Sequence, residues 1–226
     1  MKKAVFYICL LMIIVHKPAS AQVSLDIKGQ NQSFNEVTRS EVYGYPFLFN
    51  DWADGVVILE NNKNIPAKLK LDVNTEMVLF QDKNGQALEL KNKYNSITLN
   101  TADKDISDIN PLVFVSGYPE TGKQTESSIY QLIGDGKVKL LKYYKKELSE
   151  HREDTSSVIT SRYRLVRSYY IFKNNGLRQV LPNKKSFLKA LDDRGGQLAS
   201  YLQTSNVNFD SDIDLKKLMD WYNGLK

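Results

Sequence analysis

Between Val42 and Leu181 the apolar residues recur with a period of two or in short runs, and the three-to-four-residue spacing of a helix is missing. Ile65, Ala67, Leu69 and Leu71 alternate with Pro66, Lys68, Lys70 and Asp72, and Ile97 and Leu99 alternate with Ser96, Thr98 and Asn100. Strands buried on one side read this way, because successive side chains point to opposite faces. Further runs rich in Val, Ile, Leu, Tyr and Phe lie at 43–49, 55–60, 76–82, 86–91, 111–117, 128–133, 137–146, 161–173 and 177–181. Between them stand Asn61-Asn62, Asn84-Gly85, Gly134-Asp135-Gly136 and Asn174-Asn175-Gly176, residues that tolerate the positive φ of tight hairpins. Strands joined by such short turns are antiparallel, and no helical segment is available to make parallel crossovers.

The period changes at Pro182. Asn183 is placed to cap a helix carrying Phe187, Leu188 and Leu191, and Gly195-Gly196 is expected to break it. Leu198, Tyr201 and Leu202 repeat the spacing, and Leu215, Leu218, Met219, Tyr222 and Leu225 form a last stripe. Ser211 with Asp214 three residues on has the form of a capping box. The expected fold is α+β: a mainly antiparallel β domain over 42–181, meander- or sandwich-like, with C-terminal helices over 183–226 packed on it. Two smaller sheets fit the same pattern.

The N-terminus speaks to location. Lys2 and Lys3 precede an apolar run from Ala4 to Val15, and Pro18-Ala19-Ser20-Ala21 offers small residues for cleavage before Gln22. The run is about 12 residues, short of the roughly 20 a membrane span needs. Residues 1–21 read as a secretory signal peptide, and 22–41 as a polar leader. The expected location is outside the cytoplasm, in the periplasm or at the outer membrane, with no membrane-spanning segment in the mature chain.

Cleavage would remove Lys2, Lys3 and Lys17, leaving 28 basic residues against 26 acidic ones, so net charge falls from +5 to +2. Bulk charge then makes no case for nucleic acid. Cleavage would also remove Cys9 and His16, leaving His151 and no thiol. Disulfides, thiolate catalysis and cysteine metal sites are excluded by count, and one histidine makes a poor zinc site. No metal or cofactor is expected.

Several motifs resemble chemistry. Gly117-Tyr118-Pro119-Glu120-Thr121-Gly122-Lys123-Gln124 matches most of a phosphate-binding loop. Gln124 replaces the magnesium-binding hydroxyl, and a polar stretch and strand follow where a helix is required, so a polar loop is the expectation. Asn206, Asn208, Asp210, Asp212 and Asp214 alternate, but a calcium loop counted from Asp210 meets Leu215 and Trp221 where it needs Gly and Glu. They read as an acidic helix start. Asp51 and Asp54 flank Trp52 and could run a glycosidase if a cleft set their carboxyls ~5–9.5 Å apart. The plainer reading is a turn with its tryptophan at the core's edge.

The candidate binding surface is the pair of runs 137–146 and 161–173. Lys137, Lys139, Lys142, Lys145, Lys146, Arg162, Arg164 and Arg167 interleave there with Tyr143, Tyr144, Tyr163, Tyr169 and Tyr170. Paired as strands, they would present a basic, aromatic face suited to anionic glycans or lipid headgroups. Trp52, Lys139, Tyr143, Arg162, Arg164 and Tyr170 are the candidate binding residues. An ordinary solvated face, with lysines guarding an edge, has the same composition.

Gly44-Tyr45-Pro46-Phe47-Leu48-Phe49, Trp52 with Gly55, and the ending from Leu215 to Leu225 resemble small secreted proteins of Bacteroidetes-type Gram-negative bacteria. The resemblance touches about a third of the chain. It implies an envelope or periplasmic setting and brings no catalytic residues. Three functions remain open at this point. The first is a non-catalytic envelope protein that binds a glycan, lipid or protein partner. The second is a glycan hydrolase using Asp51 and Asp54. The third is an assembly subunit whose sheet edge pairs with another chain.

Overall fold

The computed structural model describes residues 42–225 apart from 102, 104 and 153–158. The expected signal peptide and leader lie outside the described residues. Eleven strands form one sheet: β1 (Val42–Tyr43), β2 (Ala53–Leu59), β3 (Asn64–Asp72), β4 (Met77–Gln81), β5 (Ala87–Glu89), β6 (Tyr94–Leu99), β7 (Leu112–Val115), β8 (Tyr130–Gly134), β9 (Lys139–Arg152), β10 (Ile159–Lys173) and β11 (Gly176–Val180). Their order is β1-β10-β9-β8-β7-β6-β2-β3-β4-β5, and β11 also lies against β10. All pairs are antiparallel except β1 with β10. The expected class, a mainly antiparallel sheet with helices after it, is what the chain adopts, and it does so as a single sheet.

Three apolar clusters organise the molecule. The first gathers side chains of β2–β4, β6 and β7, including Val57, Leu69, Phe80, Leu99 and Phe114, and reaches Tyr144 of β9. The second lies between β8–β11 and the helices α1 (Lys184–Ala190), α2 (Gly195–Thr204) and α3 (Asp212–Asn223). Leu140, Ile171, Phe187, Leu198, Leu215 and Met219 meet there. The third is largely tyrosine, with Tyr118, Tyr130 and Tyr170 around Leu141. Leu140 belongs to the second cluster and Leu141 to the third, so these two occupy opposite faces of the sheet.

The helices end as their sequence indicates. Ser186 N donates to Asn183 Oδ1 at 2.9 Å, and Asp214 N donates to Ser211 Oγ at 3.2 Å, which caps α1 and α3. The Asp214 carboxylate reaches one turn further back, accepting from Asn208 N at 3.2 Å. α3 lies tight on β8 because Gly134 leaves room: a Cβ there would stand 2.5 Å from Met219 Cβ. Two expectations need correction. Gly195-Gly196 starts α2, while α1 has already ended at Ala190 and a 3₁₀ turn, Asp192–Arg194, intervenes. The run 43–49 is a strand only at Tyr43, because Gly44 turns at φ 88° and Phe47 meets Asp72 by a single bridge.

Candidate functional site: the long hairpin

The runs 137–146 and 161–173 pair as expected, as β9 and β10, through fourteen cross-strand partners from Phe172↔Lys139 to Ile159↔Arg152. Strand alternation then divides the basic residues between two faces. Lys139, Tyr143, Lys145, Arg162, Arg164 and Tyr170 share the outer face. Lys142, Tyr144, Lys146, Tyr163, Arg167 and Tyr169 share the inner one, with Leu140 and Ile171. The single basic face expected from the sequence is therefore about half as rich.

The outer face has a closed end and an open end. At the closed end Tyr170 is buried, so it forms the floor of the tyrosine cluster and is not displayed. Tyr118 packs edge-on against Tyr130 at 5.8 Å and Phe172 at 5.1 Å, and Tyr130 meets Tyr143 at 5.7 Å. Burial pushes the Tyr118 phenol up to about 12, helped by the Asp135 charge. Tyr143 is raised by burial and then by the negative charge of Glu76. Glu76 sits at φ 59° in the turn between β3 and β4 and accepts from Ser128 Oγ at 3.3 Å. Two residues earlier, Asn74 Oδ1 accepts from Lys146 N at 2.9 Å, so this turn is tied to β9 just beyond its last partner on β8.

At the open end Lys145, Glu147, Arg162 and Arg164 are exposed. Arg164 lies across from Glu147, with Nη2 to Oε2 at 3.3 Å. Arg162 stacks over Tyr43 of β1 at 6.0 Å. Lys139 stands apart, paired with Asp135, whose carboxyl it holds below its usual range through their hydrogen bond. Trp52 is not on this hairpin. It lies just before β2, with Lys70 Nζ 5.5 Å above its ring and 4.5 Å above that of Phe47.

The inner face carries what sequence reasoning missed. Lys142 is only 3% exposed, and its ammonium is 2.6 Å from Asp212 Oδ2 in the first turn of α3. Ser107 Oγ donates to the same oxygen at 2.6 Å, and Tyr169 OH donates to Oδ1 at 3.2 Å. Gln131 Nε2 donates to Ser107 Oγ at 3.1 Å, and Tyr144 OH donates to Gln131 Oε1 and to Ile106 O. Lys142 also donates to Ile106 O at 3.1 Å. The network lies between the first and second apolar clusters, and burial lowers the Lys142 pKa against the opposing pull of Asp212. Its core residues Lys142, Ser107, Gln131 and Asp212 are all buried, so it joins sheet, loop and helix and offers nothing to a substrate.

The remaining motifs take structural places. Residues 117–124 form a loop in which Thr121 and Gln124 exchange backbone bonds at 3.1 Å, and β8 follows with no helix between. Asp212 turns inward to Lys142, while Asp214 pairs with Lys217 at 3.1 Å. Asp54 is exposed and bonded to Lys68 at 2.9 Å. Neither Asp51 nor Asp54 lines the core void among Leu69, Ile97 and Phe114 or the surface groove of about 400 Å³ beside Lys173, Arg178 and Asp192. The side chain of His151 lies outside the described residues. No helix among the described residues is long and apolar enough to cross a membrane.

No protein-family model matches the chain, and comparison with curated proteins and with solved structures finds no match.

Proposed function

We propose that this is an exported, non-catalytic protein of a Gram-negative cell envelope, and that the open end of the β9–β10 outer face binds an anionic glycan or lipid headgroup. One observation carries the reading: Lys145, Arg162 and Arg164 are exposed as neighbours on one face, and Glu147, already engaged by Arg164, is the acid among them. Tyr43, itself exposed, stands beside Arg162 and adds ring surface at this end. The export signal read in residues 1–21 supports the location. The carboxylate pair of the hydrolase reading gains no support, since Asp54 is bonded to a lysine on an open strand.

Two measurements test this. Mass spectrometry of the envelope fraction should find a mature N-terminus at or near Gln22, and a cytosolic chain retaining Met1 would refute the location. Co-sedimentation with anionic liposomes or lipopolysaccharide should weaken with salt, because the Debye length shrinks from about 10 Å at 0.1 M to about 3 Å at 1 M. Arg162→Ser with Arg164→Ser should weaken it without unfolding, since both side chains are exposed. Undiminished binding by the double variant would refute the site.

A further inference from the structure

β10 has a partner along its whole length on one side only. β9 pairs with residues 159–172, but on the other side β1 meets residues 161 and 162 and β11 meets residues 169–173. Residues Tyr163–Ser168 are left between them. Among the described residues no further backbone–backbone bond reaches this segment. In an antiparallel ladder alternate residues point their N–H and C=O away from the partner, so about three residues here present both groups sideways. The open stretch is roughly 20 Å long at ~3.3 Å per residue.

The surroundings are as distinctive as the gap. Exposed large side chains stand at both ends of the gap: Tyr43 of β1 at one, and Leu181, just beyond the Val180 partner of Tyr169, at the other. Within the gap, Arg164, which pairs with Glu147, and Arg167, which donates to Asp105 O, are exposed and flank half-buried Leu165 and Val166. Arg164 projects on the outer face and Arg167 on the inner face. Such charges keep an edge from pairing indiscriminately.

We propose that this edge takes up an extended segment of a partner protein as an added strand, filling the space between β1 and β11. The segment that fits has two acidic residues three positions apart with two apolar residues between them. The acids would then meet Arg164 and Arg167 on opposite faces, and the apolar pair would extend the rows begun by Leu165 and Val166. The pattern reads the same in both directions, so it holds for parallel and antiparallel addition. Main-chain bonds would supply affinity and the alternating side chains selectivity. This goes beyond the anionic face proposed above, since it needs the backbone of β10 and not only its charges.

The probe is a synthetic peptide TTEVVETT, blocked at both ends, with two further versions N-methylated at one or the other set of alternate residues. Charge and side chains are unchanged among the three. In the free protein, alternate amides within 163–168 should exchange with deuterium far faster than their neighbours, despite lying mid-strand. The parent peptide at about 1 mM should slow them about tenfold or more, corresponding to ~1.4 kcal/mol. One N-methylated version should lose this effect and the other keep it. Slow exchange at all six amides before peptide is added would show the edge already covered and overturn the proposal. So would an absence of slowing by the parent peptide, or equal binding of all three versions, which would mean charge attraction alone. The anionic face is tested separately by liposomes and the double arginine variant, so either idea can fail while the other stands.

Discussion

Removing one member of the buried Lys142–Asp212 pair should destabilise the protein severely, and removing both should not. At 2.6 Å the attraction is about 6 kcal/mol for an effective dielectric of ~20. Most of it is offset by the desolvation of two ions that are 3% and 2% exposed. A single replacement leaves that desolvation uncompensated. Lys142→Met strands Asp212 with only the Ser107 and Tyr169 hydroxyls, and Asp212→Leu strands Lys142 with the Ile106 carbonyl. Each should cost about 3–5 kcal/mol, whereas the double variant should lie within about 2 kcal/mol of the parent. The coupling energy in the double-mutant cycle should therefore exceed about 3 kcal/mol. Urea unfolding at pH 7, followed by far-ultraviolet circular dichroism, measures all four corners. Single variants costing under ~1 kcal/mol, or a double variant as unstable as the sum of the singles, would refute a desolvated, mutually dependent pair.

Other consequences follow from the tyrosines, from Asn223 and from the 117–124 loop. Tyr118, Tyr130 and Tyr169 have folded-state pKa values raised above 10, chiefly by burial, so they hold protons that the unfolded chain releases. Their stabilisation is complete below pH 10 and lost as pH climbs through the folded values. Between pH 10 and 12 the loss is about 2 kcal/mol for each phenol, the slope approaching ~1.4 kcal/mol per pH unit. Lys142, its pKa lowered mainly by burial, acts in the opposite sense and only below pH 10.5. Unfolding should coincide with phenolate absorbance at 295 nm, and gradual ionisation of a folded protein would contradict this. Asn223→Ala removes a carboxamide that bonds Val138 N at 2.9 Å and Val138 O at 2.8 Å, and should cost about 2 kcal/mol in the same urea assay. Lys123→Ala, on the exposed loop, should change stability by less than about 0.5 kcal/mol and leave no nucleotide affinity to lose in calorimetry.

The turns of this fold were readable because positive φ demands particular residues. Asn62, Gly85, Gly136, Asn174 and Asn175 all adopt it where hairpins were expected. The helix starts were equally plain, since Asn183 and Ser211 both carry out the capping their side chains permit. Lys142 was not read, because a lysine among tyrosines on a strand resembles a solvated position and its partner lies 70 residues away. Parity held the missing signal. Leu140, Lys142 and Tyr144 share a face, and a lysine between two inward apolar residues must either reach water past them or find an acid. The division of the arginines and lysines between two faces follows from the same parity. The approach of the β3–β4 turn to β9 had no local signature, because it depends on how the whole sheet curls.

The separation of Lys142 from Asp212 also sets an order of events. During synthesis β9 precedes α3, so for a period the lysine exists without its counterion. A sheet that closed in that interval would enclose a naked ammonium, which is the costly state described for the Asp212 variant. The chain thus resists premature closure until residue 212 is available, and the same brake would apply to any chain threaded through a narrow pore N-terminus first.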